Sequence, residues 1–133
     1  MEFEVRTQQR EQMVDITAEV AAVVREAGVG SGQVLVYCPH TTAGLTVNEA
    51  ADPDVRADII DGLRRLVPKS GGWRHAEGNA DAHIKASLMG SSVTVPLEGG
   101  KLALGTWQGV FLCEFDGPRR RTVRVCVTAR GDS

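Results

Sequence analysis

Between Thr122 and Thr128 the chain alternates strictly. Val123, Val125 and Val127 fall on one side, and Thr122, Arg124, Cys126 and Thr128 on the other. A period of two over seven residues is a β-strand with one buried face, and it cannot stand without neighbours to pair with and a layer to pack on. The same alternation marks residues 2–8, where Phe3 and Val5 share a face, residues 44–49, where Leu45 and Val47 do, and the segment carrying Val93, Val95 and Leu97. Val34–Cys38 and Val110–Phe115 are continuous apolar runs of the kind that fills the middle of a sheet. Glu98-Gly99-Gly100-Lys101 predicts a hairpin returning through Leu102 and Leu104. The total is about seven strands.

Helical spacing appears in three places. Ile16, Val20, Val23, Val24 and Ala27 follow Asp15, which reads as an N-cap, and Gly28 reads as the stop. Asp52-Pro53 opens a second helix with a buried stripe of Val55, Ile59, Leu63, Leu66 and Val67, and with Asp61 and Arg65 placed to pair at i,i+4. A short third helix is expected from about Ala80 to Leu88, capped by Asn79 or Asp81 and buried through Ile84 and Leu88. Helices early and hairpins late predict an α+β fold: a compact single domain over 1–133, with a mixed or mostly antiparallel sheet and two or three helices packed on it.

Composition narrows the function. Charged residues are 24% of the 133 and the net charge is −2, which gives no case for nucleic acid. The first 67 residues hold six basic against eleven acidic residues and the remainder nine against six, a tilt that solvated faces explain. No run reaches the length of a membrane span, and no basic segment with an apolar run opens the chain. Cys38, Cys113 and Cys126 are odd in number, lack CxxC spacing and lie in strand-like contexts, so they read as reduced core or near-core thiols of a cytoplasmic protein. Apolar surroundings would blunt Cys38 and Cys113 as nucleophiles.

The densest polar stretch is Trp73–Met89. It holds His75 and His83 with Glu77, Asn79 and Asp81 between them. The remaining histidine, His40, opens the loop His40-Thr41-Thr42-Ala43-Gly44 after a strand, and Asn48 and Glu49 end the strand that follows. His40, His75 and His83, with Glu49, Glu77 or Asp81 near them, suit a divalent ion such as Zn²⁺ or Mg²⁺. With no HExxH or CxxC spacing, three separate solvated histidines account for the pattern too. Thr41, Thr42 and the loop amides can cradle a phosphate or carboxylate, or serve turn geometry alone. His83 lies in the first turn of the third helix with Ser87 one turn on, where helix amides favour an anion; an amphipathic helix with a wet histidine reads equally well. Trp107-Gln108, between Gly105 and Gly109, can form a platform for an aromatic ring or be core. Arg119-Arg120-Arg121 either binds phosphate or guards a solvated edge strand.

The runs from Cys38 to Val55, from His75 to Gly90 and from Gly100 to Glu114, including Gly-Thr-Trp-Gln-Gly, together resemble the YjbQ family, described as a secondary thiamine-phosphate synthase. The resemblance spans almost the whole chain. It implies a compact α+β homotrimer and a weak activity in which a thiazole phosphate displaces pyrophosphate from hydroxymethylpyrimidine diphosphate. The implied partner is a small phosphorylated metabolite, and the implied site is the cluster of His40, His75, His83, Thr41, Asn48, Glu49, Glu77 and Asp81. The chain lacks an aspartate-rich diphosphate–magnesium motif, which fits a secondary activity. Two other readings stay open on the residues themselves: a metal-dependent hydrolase of a phosphorylated metabolite, and a non-enzymatic module that binds a small anion.

Overall fold

The computed structural model describes residues 1–131. Its elements are β1 Glu2–Arg6, β2 Gln12–Asp15, α1 Thr17–Ala27, β3 Gly32–Tyr37, β4 Ala43–Glu49, α2 Pro53–Leu66, α3 Ala80–Met89, β5 Ser92–Glu98, β6 Lys101–Leu102, β7 Gln108–Glu114 and β8 Arg120–Ala129. The fold is α+β, as the pattern predicts, with eight strands in two sheets and every pairing antiparallel. The strand not foreseen is β2. Its four residues are too few to show a period, and it exists because β7 offers an edge to pair with.

The five-stranded sheet has the order β1-β8-β3-β5-β6, and the three-stranded sheet β2-β7-β4. They pack face to face. Val34, Val36, Val95, Leu97, Val123 and Val125 from the large sheet meet Leu45, Val110 and Leu112 from the small one, joined by Ile16, Val20, Val23 and Val24 around α1. The other face of the small sheet presents Phe111, Cys113 and Phe115 to Ala82 and Ala86 of α3 and to the half-buried Ile59, Ile60 and Leu63 of α2. Strand β7 is therefore buried on both faces, which is why its sequence is a continuous apolar run.

Helix starts and stops follow local chemistry. Asp52 accepts from the Asp54 amide and Pro53 opens α2. Asp15 accepts from the amide and hydroxyl of Thr17, yet the cap position itself falls to Ile16. The α3 cap is Asn79, but its side chain donates to Asp116 instead of capping.

Five expectations need correction. Leu66, expected in the buried stripe of α2, is 76% exposed. Leu88 is 60% exposed, and the inward face of α3 is Asp81, Ala82, Lys85 and Ala86. Asp61 pairs with Arg64, not Arg65, because Arg64 also reaches Glu11. The arginine run opens an interior strand, β8 between β1 and β3, not an edge, and Arg121 points into the core region. Cys126 is exposed on the outer face of the large sheet, while Cys38 and Cys113 are buried.

Two buried ionic clusters anchor this frame. Glu114 and Arg121 pair between the sheets, with Thr7 donating to Glu114 and the Arg121 guanidinium donating to Thr42. Lys85 donates to Asp81 at 2.7 Å and to Glu11 at 2.9 Å; Arg10 reaches Asp81 with two nitrogens and Arg64 reaches Glu11. The second cluster ties α3 to the β1–β2 loop and to α2. A buried charge needs this density of partners to be tolerated at all.

Candidate active site

Helix α3 carries the site because its two sides do different things. Asp81 and Lys85 turn inward, and His83, two residues from each, turns toward the surface. Gly44 of β4 lets the helix lie close: a Cβ there would meet the Gly90 carbonyl oxygen at 2.7 Å and Met89 Cβ at 3.0 Å. The Leu45 amide donates to that same Gly90 carbonyl. The close approach puts the start of β4 beside the outer side of α3.

Two cavities meet at His83, and they differ in lining. The first, about 430 Å³, is walled by His40, Thr41, Ser87 and Ser91 along with His83. The second, about 580 Å³, is walled by Trp73, Arg74, His75, Ala80 and Ile84 along with His83. His75 and His83 meet edge to face with ring centroids 5.4 Å apart. Glu77 lies 3.7 Å from His75.

His40 is the most constrained of the three. Its Nε2 accepts a 2.9 Å hydrogen bond from the Thr122 amide, so the proton of the neutral ring is on Nδ1. Burial and the nearby Arg121 guanidinium hold its pKa below the usual histidine value. His40 is thus a neutral imidazole with one N–H to donate. It fits a metal poorly, since one nitrogen is occupied and the other protonated. Among the described residues no three His, Cys, Asp or Glu groups converge as a cation site. His40 is thus committed to the Thr122 amide, while His75, His83 and Glu77 lie near one another.

The other expected site residues divide by place. Thr41 is exposed beside His40, and Ser87 donates its hydroxyl to the His83 carbonyl, leaving its oxygen lone pairs for a ligand. Thr42 is buried and accepts from Arg121; Asp81 is fully buried in the Lys85 cluster. Burial alone would raise the Asp81 pKa, but its bonds to Arg10 and Lys85 outweigh that and hold it below the usual carboxylate value. Neither side chain faces the cavities, so both support the site from behind. Asn48, Glu49, Trp107 and Gln108 lie at the other end of β4 and β7, where Glu49 is opposite Gln108. Six residue steps along β4 place that end roughly 20 Å from the His40 end. There Asn48 accepts from the Glu49 amide, Glu49 accepts from the amides of Ala51 and Asp52, and Gln108 accepts from the Gly105 amide. These are turn-closing bonds. Within one chain these four residues are separate from the histidine cleft.

Sequence reasoning passed over Trp73, Arg74 and Ser91 as site residues. The one local signal is Gly71-Gly72 ahead of Trp73, which lets the chain fold back under the indole. Cys38 and Cys113 are poorly suited to nucleophilic chemistry, as expected: burial raises the Cys38 pKa and pushes that of Cys113 up to about 12.

Fold and cleft together define a class: small two-sheet α+β domains with a histidine-lined cleft on a helix held by buried ion pairs. The chain belongs to the UPF0047 protein YjbQ-like family, whose model matches residues 1–130. It is 52% identical over 119 residues to the UPF0047 protein MJ1081 of Methanocaldococcus jannaschii, covering 90% of this chain and 86% of that protein. It is 51% identical over 125 residues to the UPF0047 protein YugU of Bacillus subtilis, covering 90% and 92%. The crystal structure of an uncharacterized conserved YjbQ/UPF0047 protein from Clostridium acetobutylicum superposes with a TM-score of 0.95 at 53% identity, over 96% of this chain and 99% of that one.

Proposed function

We propose that the protein is a thiamine-phosphate synthase-like transferase with this as a secondary activity. It joins hydroxymethylpyrimidine diphosphate to thiazole phosphate. The thiazole nitrogen lone pair forms a bond to the pyrimidine methylene carbon, the bond from that carbon to the diphosphate oxygen breaks, and its electron pair leaves with pyrophosphate. The observation that carries the reading is the meeting of two cavities at His83, one lined mainly by polar groups and one by an indole and an arginine. Two substrates must touch at one reacting centre, and adjoining pockets of unlike lining suit that need.

Charge on the departing diphosphate has to be met by donors already in place. His83 and His75 supply ring nitrogens at the junction, His40 supplies its Nδ1–H, and Arg74 supplies a guanidinium. The divalent ion expected from the histidines is assigned to the substrate instead, arriving as the magnesium complex of the diphosphate. We further assign the protein a homotrimeric state. The resemblance to its family supports this, and so do Leu35 and Tyr37, 39% and 40% exposed on the outer face of the large sheet.

Purified protein given both precursors and magnesium is expected to form thiamine phosphate. His83→Ala should abolish the product while circular dichroism and melting stay close to wild type. No product above a mock preparation would overturn the assignment. Light scattering that returns a monomer mass would overturn the trimer.

A further inference from the structure

We infer that Trp73 is the ring-binding platform of the cleft, and that the cavity it walls takes a flat aromatic anion, a heterocycle bearing a phosphate. The inference rests on the transferase reading for the identity of the ring, but not for the existence of the site. Trp73 is 40% exposed and belongs to neither core cluster, so packing of the fold does not account for it. Nevertheless it is held. Its indole N–H donates to the Pro68 carbonyl at 3.1 Å, and a Cβ on Gly71 would come within 2.3 Å of the ring, so the indole lies directly on its own loop. An exposed tryptophan fixed in this way offers a rigid surface at little entropic cost on binding.

What surrounds the indole decides the ligand. Ala80 and Ile84 add apolar wall, and His75 and His83 add two ring nitrogens each. Arg74 lines the same cavity and has no hydrogen-bond or ion-pair partner among the described residues. A cation left unpaired beside an immobilised aromatic surface complements a ligand that is flat at one end and anionic at the other. Trp107, the aromatic that the sequence puts forward for this task, sits at the far end of β4 and β7.

The chain has two tryptophans, so Trp107→Phe leaves Trp73 as the sole indole reporter. Hydroxymethylpyrimidine phosphate is expected to quench its fluorescence saturably. The unphosphorylated pyrimidine should bind more weakly, and inorganic phosphate should produce no quench. By calorimetry, Trp73→Leu should weaken binding of the phosphorylated pyrimidine about tenfold or more, and Trp73→Phe should restore most of it. Arg74→Ala should bring the phosphorylated ligand down to the affinity of the unphosphorylated one. An absence of saturable quenching, or wild-type affinity in Trp73→Leu, would overturn the inference. Binding without product formation sinks the transferase reading and leaves the platform standing. Product formation with an unchanged KM in Trp73→Leu does the reverse.

Discussion

Replacing Lys85 with methionine tests whether the buried ionic cluster holds the site helix. Methionine keeps much of the aliphatic stem and removes the cation. Lys85 is 1% exposed, and its nitrogen serves Asp81 at 2.7 Å and Glu11 at 2.9 Å. Breaking a buried ion pair from one side costs roughly 3–5 kcal/mol. Here each carboxylate keeps one arginine, Arg10 on Asp81 and Arg64 on Glu11, which places the loss at the low end, about 3 kcal/mol. An unfolding entropy of about 2.1 cal/mol/K per residue gives ~0.28 kcal/mol/K for this chain, so Tm should fall by about 11 °C. Differential scanning calorimetry at neutral pH reads this directly. Arg64→Met is the comparison: that side chain is 53% exposed, and its loss should cost no more than about 1 kcal/mol. The variant should also shift acid unfolding. Burial tends to raise the Glu11 and Asp81 pKa values, but the bonds from Arg64, Arg10 and Lys85 outweigh it and both are lowered. Groups lowered in the folded state add stability above their ordinary values of 4.5 and 3.8, and that stability is lost as pH falls through the folded values. Without Lys85 the lowering shrinks and the acid midpoint moves up. A Tm within about 3 °C of wild type, or equal losses in the two variants, would refute the idea that this buried lysine anchors α3.

Two further outcomes follow from the same geometry. Gly44→Ala forces β4 and α3 apart against the Gly90 carbonyl and Met89, so it should destabilise by about 1–3 kcal/mol in urea unfolding and lower product formation together with it. His40 has a folded pKa below its ordinary 6.5, so the unfolded chain binds more protons between the two values; stability should rise with pH through that window, and His40→Gln should flatten the slope in urea titrations at pH 5 to 7, a range set by the ordinary histidine value.

Much of the frame is legible in the chain because it depends on short-range periodicity. The valines of β8, the Asp52-Pro53 start of α2, the glycine pair between β5 and β6 and the continuous run of β7 each declare themselves within a few residues. Strand β2 did not, since four residues carry no period and its existence depends on the β7 edge. The α3 register misled for a related reason. Ile84 and Leu88 read as its buried pair, yet Asp81 and Lys85 are the most buried polar groups of the helix, because their partners, Arg10 and Glu11, come from a loop 71 and 74 residues away in sequence.

The site divides along the same line. Local sequence determined that His75 and His83 would flank a helix start and that His40 would follow a buried strand, since strand ends and helix caps are written nearby. Tertiary structure alone decided which polar residues meet. It laid α3 against the start of β4 through Gly44, bringing His40, Thr41 and His83 to adjoining cavities. It left Asn48, Glu49, Trp107 and Gln108 at the opposite end of the same strands. It also fixed the His40 tautomer through the Thr122 amide, a bond between residues 82 apart in the chain. Contacts across such separations arise from how sheets and helices stack, and no local pattern of residues encodes them.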